Sequence, residues 1–257
     1  MSERISQPCV VTGIPSVPPE LSVVVPVFNE EQCIATVLEE LCMALRSQGM
    51  EWEVVAVDDG STDATPGLLQ QAARHEPRIR LLRLHPNAGQ SAAFWAGFQA
   101  ARGALIATMD ADGQNDPADI ERCVQGLKGA DACCGYRHKR QDTAAKRWGS
   151  KWANRVRNRI LGEEIIDTGC SMKVFRAPLL TSLQYWDGMH RFLPTLAALQ
   201  GAKIEQLPVG HRARAAGTSK YTNWGRLKRT IRDLWGVRWL KSRTRLFSAT
   251  ELPIERG

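Results

Sequence analysis

The run Leu21–Val27 (LSVVVPV) is almost unbroken apolar sequence seven residues long. A run that short and that apolar suits a strand buried on both faces, and such strands belong to parallel sheets covered by helices. It is followed by helical spacing within residues 30–48 (Ile34, Val37, Leu38, Leu41, Leu45), with Gly49 as a stop. The pattern then repeats. Trp52–Val57 reads as a second strand, and Thr62 or Asp63 can cap a helix reaching about Arg74. Ile79–Leu84 reads as a third strand, Ser91–Arg102 as a helix and Ala104–Met109 as a fourth strand; Pro117 opens the next helix. Strands alternating with helices predict a doubly wound, mostly parallel α/β sheet. Ligands of such sheets bind beyond the carboxyl ends of the strands. Phe28-Asn29-Glu30, Asp58-Asp59 and Asp110-Ala111-Asp112 each directly follow an apolar run, so all three are expected on one rim.

At 257 residues the chain suits one large domain. The expected division is a tail over 1–20, the main domain over 21–222, a basic amphipathic helical region over 223–245 and a tail over 246–257. Seven cysteines occur without a CxxC pair or zinc-type spacing, which reads as reduced core thiols. The first residues lack the pattern of a signal peptide. No stretch approaches the roughly 18 to 20 apolar residues of a spanning helix. The expected location is therefore cytoplasmic. The net charge is +7 and unevenly placed. Nine Lys/Arg face one acid between Arg137 and Arg159, and eleven face one acid between Arg212 and Arg245. Both runs are interleaved with tryptophan, and such a balance points to anionic partners.

Three acidic clusters on one rim would repel each other without a cation. Asp110 and Asp112, leaving a strand two residues apart, can turn toward one hard ion, with Gln114 as a carbonyl ligand. Carboxylate oxygens with open positions suit Mg²⁺ or Mn²⁺, and no His/Cys cluster argues for zinc. An ion of this kind beside basic residues suits a diphosphate. GxGxxG and GxxxxGK[ST] are both absent, which disfavours dinucleotide oxidoreductases and P-loop NTPases.

The ordered set VVVPVFNEE, VDDGSTD, TMDADGQNDP, DTGCSMKVFR and RAAGTSKY resembles the family-two glycosyltransferases over roughly residues 21–225. More narrowly it is similar to the polyprenyl-phosphate (dolichol-phosphate mannosyltransferase-like) enzymes. The resemblance implies a GT-A fold, Rossmann-like with a mostly parallel sheet flanked by helices, a nucleoside-diphosphate sugar donor and inversion at the anomeric carbon. It implies that Pro26, Phe28, Asn29 and Glu30 cup the base and that Asp58 and Asp59 contact base and ribose. Asp110, Asp112 and Gln114 match the metal site. Arg214, Ser219 and Lys220 match a loop over the phosphates, with Arg212 nearby. Arg137, Arg140 and Arg147 lie where the family binds the acceptor phosphate. Asp112, Arg140 and Lys220 are the residues implied to carry the chemistry. Asp142 or Asp167 could serve as a base for an alcohol acceptor, although salt bridges to nearby arginines suit them better. The sugar, of GDP-mannose or UDP-glucose type, is open.

A polyprenyl phosphate lies in a bilayer. Trp224, Leu227, Ile231, Leu234, Trp235 and Arg238 follow helical spacing with Arg226, Lys228, Arg229 and Arg232 between them, the pattern of an in-plane interfacial helix. The row Trp148, Trp152, Val156 and Ile160 is similar. Expected partners are thus a nucleotide sugar, a polyprenyl phosphate and the cytoplasmic face of a membrane, with no nucleic acid. The oligomeric state is open. Two alternatives stand beside this reading. One is a soluble glycosyltransferase acting on a glycan or protein. The other is a non-catalytic module binding nucleotide or nucleic acid through its basic face.

Overall fold

The computed structural model describes residues 18–138, 144–212 and 223–247, with backbone alone over 144–151 and 223–229. Its first half follows the predicted alternation: β1 (Leu21–Val27), α1 (Ile34–Arg46), β2 (Trp52–Asp58), α2 (Thr65–His75), β3 (Ile79–Arg83), α3 (Gln90–Ala100), β4 (Leu105–Thr108) and α4 (Asp119–Gln125). The second half adds β5 (Ala132–Arg137), α5 (Ala144–Leu161), β6 (Lys173–Arg176), α6 (Pro178–Thr181), α7 (Leu193–Leu199), β7 (Ile204–Val209) and α8 (Asn223–Arg243). A short 3-10 turn, Met189–Phe192, precedes α7. Two helices start later than the sequence pattern implies. The segment from Glu30 enters its helix at Ile34, and α2 starts at Thr65, where Asp63 Oδ1 accepts the Thr65 N–H at 3.0 Å.

The seven strands form one sheet in the order β3-β2-β1-β4-β6-β5-β7. All neighbours run parallel except β6, which is antiparallel to both β4 and β5. Because β6 alone is reversed, its first residue lies level with the last residue of β4, and Lys173 sits opposite Thr108. The exits of β1, β2, β4, β5 and β7 and the entrance of β6 therefore share one rim.

Alternation along β1 divides the core. Leu21, Val23, Val25 and Val27 pack toward α1, Leu69 of α2 and Ile120 of α4. Val24 packs on the other face with Phe94 and Phe98 of α3, Phe192, and Leu234 and Val237 of α8. Helix α3 lies close to the sheet because Gly97 has no side chain; a Cβ there would overlap Val24 Cγ1 and come 3.3 Å from Val57 Cγ2. The six cysteines described are free and buried. Burial pushes the Cys42 thiol up to about 11 and that of Cys134 up to about 12, so neither is a reactive thiolate at neutral pH.

The expected apolar row of α8 is split in the fold. Leu234 and Val237 face inward, at 7% and 3% exposure, whereas Ile231, Trp235 and Trp239 face out at 48%, 58% and 62%. At 100° per residue, positions 231, 235 and 239 make one stripe and 230, 234, 237 and 241 another. The predicted grouping of Leu234 with Trp235 on one face thus joined two faces with different neighbours. On α5, Trp152 is exposed, whereas Ile160 packs against the second core layer. The side chains of Trp148, Trp224 and Leu227 lie outside the described residues. No helix among the described residues is long and apolar enough to cross a membrane.

Candidate active site

The loops leaving β1 and β2 are bonded to each other. Asn29, at φ 53°, accepts the Thr62 N–H on Oδ1 at 2.7 Å, and its own N–H reaches Ser61 Oγ at 2.9 Å. Asparagine is one of the few residues that enter this left-handed region without a large penalty. The Glu30 N–H donates to Thr65 Oγ1 at 2.9 Å. These bonds hold the Phe28-Asn29-Glu30 segment beside Asp58 and Asp59 on the common rim, with Pro26 directly behind in β1.

Asp58 and Asp59 are both buried and differ in their partners. Asp58 accepts the Ser61 N–H at 2.9 Å and pairs with Arg83 Nε at 3.2 Å. Asp59 accepts from Asn87 Nδ2 and from the N–H groups of Ala88 and Gly89, at 3.0, 2.8 and 2.8 Å. Its carboxylate fixes the loop that opens α3. Burial raises its pKa, and these donors offset part of the rise.

Asp110 and Asp112 lie beyond β4. Asp110 Oδ1 accepts from Gln90 Nε2 at 2.9 Å, and Asp112 Oδ1 from the Gln114 N–H at 3.2 Å. Burial, then the neighbouring charge of Asp112, pushes the Asp110 carboxyl up to about 6. Two carboxylates two residues apart, on a loop at the rim, are a donor set that fits Mg²⁺ or Mn²⁺. Such ions commonly take one or two protein carboxylates and complete their shell with phosphate and water. Among the described residues no group of three His, Cys, Asp or Glu side chains converges. The Gln114 side chain, the expected third ligand, donates through Nε2 to the Arg212 carbonyl at 3.4 Å.

That contact belongs to a seam. The Arg212 N–H reaches the Gln114 carbonyl at 2.8 Å, and Asn115 bridges to His211. The chain leaving β7 is thereby fastened to the Asp110–Gln114 loop immediately before residues 213–222. Arg214, Ser219 and Lys220 fall in that stretch, and Arg140 and Asp142 in 139–143, all outside the described residues; for Arg147 the backbone alone is described. Arg212 itself is paired with Glu40 at 2.6 Å and Asp116 at 3.3 Å. Arg137 ends β5 on the same rim. It makes a forked pair with Asp167, Nε to Oδ2 at 2.7 Å and Nη2 to Oδ1 at 2.9 Å. Asp167 is thus a salt-bridge partner of an arginine.

Beside Asp110 the structure encloses a cavity of about 280 Å³. Gln90, Thr108, Asp110, Lys173, His190 and Arg191 are among the residues lining it. Sequence reading missed Gln90, His190 and Arg191. Lys173 carried a signal, a lysine inside the apolar run SMKVF, which the reversed strand turns to use by placing it at the rim. His190 and Arg191 sit in a stretch without periodicity and left no comparable mark.

This arrangement can bind a nucleoside diphosphate across the rim, hold a divalent ion at its centre and enclose a small polar group next to that ion. The chain matches known proteins accordingly. It is 42% identical over 224 residues to dodecaprenyl-phosphate galacturonate synthase of Rhizobium johnstonii, covering 85% of this chain and 66% of that protein. It is 37% identical over 204 residues to undecaprenyl-phosphate 4-deoxy-4-formamido-L-arabinose transferase of Pectobacterium carotovorum, covering 79% and 62%. The chain thus spans just under two thirds of the length of these curated relatives. Among solved structures, glucosyl-3-phosphoglycerate synthase from Mycobacterium tuberculosis, in complex with Mn²⁺, UDP and phosphoglyceric acid, superposes with a TM-score of 0.67 at 19% identity. The match covers 88% of this chain and 80% of that one. It shows the GT-A fold in the present chain. The model of glycosyl transferase family 2 matches residues 22–183, well over half the sequence, and the chain belongs to that family.

Proposed function

We propose that the chain transfers a sugar from a nucleoside-diphosphate sugar to a polyprenyl phosphate at a membrane surface, with inversion at the anomeric carbon. The observation that carries this reading is the meeting on one rim of the Asp58 loop, the Asp110–Asp112 pair and the ends of β5 and β7, from which the two arginine-rich stretches depart. The names of the two relatives support it, since each pairs a sugar with a polyprenyl phosphate. Those names also widen the donor beyond GDP-mannose and UDP-glucose to hexuronates and 4-substituted pentoses.

An oxygen of the acceptor phosphate attacks the anomeric carbon. The bond from that carbon to the diphosphate oxygen breaks, and the nucleoside diphosphate departs with the electron pair. A phosphate monoester is already anionic near neutral pH, so no side chain has to remove a proton from it. Asp110 and Asp112 would hold Mg²⁺ or Mn²⁺, which supplies positive charge where the leaving group gains negative charge. Gln90 orients Asp110 through the 2.9 Å bond. Arg140 and Arg147 would receive the acceptor phosphate, arginine being suited to forked contacts with it. Arg137 would share that task while Asp167 fixes its direction. Lys220 and Arg214 would close over the diphosphate. Ile231, Trp235 and Trp239, exposed among basic residues, would meet the bilayer.

The test is transfer of radiolabelled sugar into lipid extract with Mn²⁺ and added undecaprenyl phosphate. Asp112→Ala is expected to lower transfer at least a hundredfold while leaving liposome binding unchanged. Absence of transfer by folded protein from UDP-glucose, UDP-galacturonate, GDP-mannose and the UDP derivative of 4-deoxy-4-formamido-L-arabinose alike would sink the proposal. Activity on a soluble glycan without lipid would favour the soluble alternative.

A further inference from the structure

One residue lining the cavity beside Asp110, His190, is backed by a polar group that the metal and nucleotide roles above do not use. Ser91, in the first turn of α3, is fully buried. Its Oγ accepts the Gly188 N–H at 2.8 Å and lies 2.6 Å from His190 Nδ1. A hydroxyl has one proton. One lone pair of that oxygen takes the backbone donor, and the proton is placed to be given to Nδ1 at 2.6 Å. In that arrangement the neutral ring carries its own proton on Nε2. The ring is further held against Phe94, centroids 6.4 Å apart.

The turn bearing His190 lies close against α8. Gly188 has φ 101°, a conformation that favours glycine, and a Cβ there would come 2.7 Å from Asp233 Oδ2 of α8. Arg191 Nη1 reaches Thr230 Oγ1, also of α8, at 3.3 Å. An imidazole oriented by Ser91 and Phe94, lining a small cavity next to the expected metal, is built to discriminate by hydrogen bonding.

We propose that this cavity receives the transferred sugar and that His190 is a specificity-determining residue, donating from Nε2 to a sugar oxygen, with Ser91 as its positioning residue. The proposal rests on the donor reading above. Nothing in it requires the acceptor.

Calorimetric titration tests it, with Mn²⁺ present and UDP, UDP-glucose and UDP-galacturonate as probes. His190→Ala is expected to leave the Kd for UDP within about twofold and to weaken the better-bound UDP-sugar roughly tenfold, the worth of one lost hydrogen bond. His190→Gln places an amide N–H near the position of Nε2 and is expected to recover most of the loss. Ser91→Ala should fall between, and it carries the test alone if His190→Ala does not fold. The proposal is overturned if UDP and UDP-sugar weaken together, if neither changes, or if glutamine does no better than alanine. Failure of the transferase reading looks different: wild-type protein would keep the His190-dependent sugar binding and still place no sugar on polyprenyl phosphate.

Discussion

Asp110 is held where its own ionisation is disfavoured, by burial and by Asp112. Its folded pKa of about 6 lies above the ordinary aspartate value of 3.8, so its contribution to stability is fully present below pH ~4 and lost as pH rises through 6. At neutral pH, without metal, the charged form therefore opposes folding by on the order of 3 kcal/mol at most. Asp110→Asn is expected to melt higher than wild type at pH 7.5 in EDTA, with the advantage shrinking toward pH 4; differential scanning fluorimetry across that range checks it. Metal affinity should follow the opposite course, falling as pH drops through 6. These carboxylates were legible in the sequence because each directly follows a strand, and a parallel sheet sends such positions to one rim. His190 and Ser91 were not, because their contact joins residues 99 positions apart and neither lies in a pattern that a linear reading detects. The Asp59 carboxylate was placed correctly at the rim, but its hydrogen bonds to residues 87–89 could not be read from sequence.

At the scale of elements, α8 presents two faces with different surroundings, one buried and one exposed. Leu234→Ala should cost about 2 to 5 kcal/mol, since it hollows the core beneath the helix. Trp235→Ser with Trp239→Ser should change the melting temperature little and lower partitioning onto anionic liposomes at least tenfold, measured by sedimentation. Deleting the whole helix would confound the two effects, because Leu234 and Val237 belong to the domain. Helix α3 offers a second check. Gly97→Ala is expected to cost about 1 to 3 kcal/mol by forcing the helix off Val24 and Val57, read from denaturant midpoints. The 3.6-residue period announced α8, but period alone does not say which stripe meets protein and which meets solvent. Strand β6 was harder still: four residues long and antiparallel, it lies in a sheet whose other neighbours gave every reason to expect parallel pairing.

Over the whole molecule, α8 runs along one flank. Thr230 lies at the cavity, and Leu246, just past the helix, comes within 3.2 Å of an ideal Cβ at Gly201, before β7 at the far end of the sheet. Docking through Trp235 and Trp239 would lay this flank on the bilayer, with the cavity at one end of the helix. Nucleotide and Mn²⁺ together should raise stability by mass action, by about 2.7 kcal/mol at a hundredfold excess over Kd, and Asp112→Ala should abolish the metal-dependent part. The parallel strands end on one rim and leave the turns that enter them at the opposite end of the sheet. Residues 47–51 turn between α1 and β2 at the end away from the rim, and Gly49 has nothing within 4 Å of its Cβ position. An engineer wishing to graft a fluorescent reporter or an affinity handle onto this chain has its natural attachment point there, where added mass would extend away from the rim.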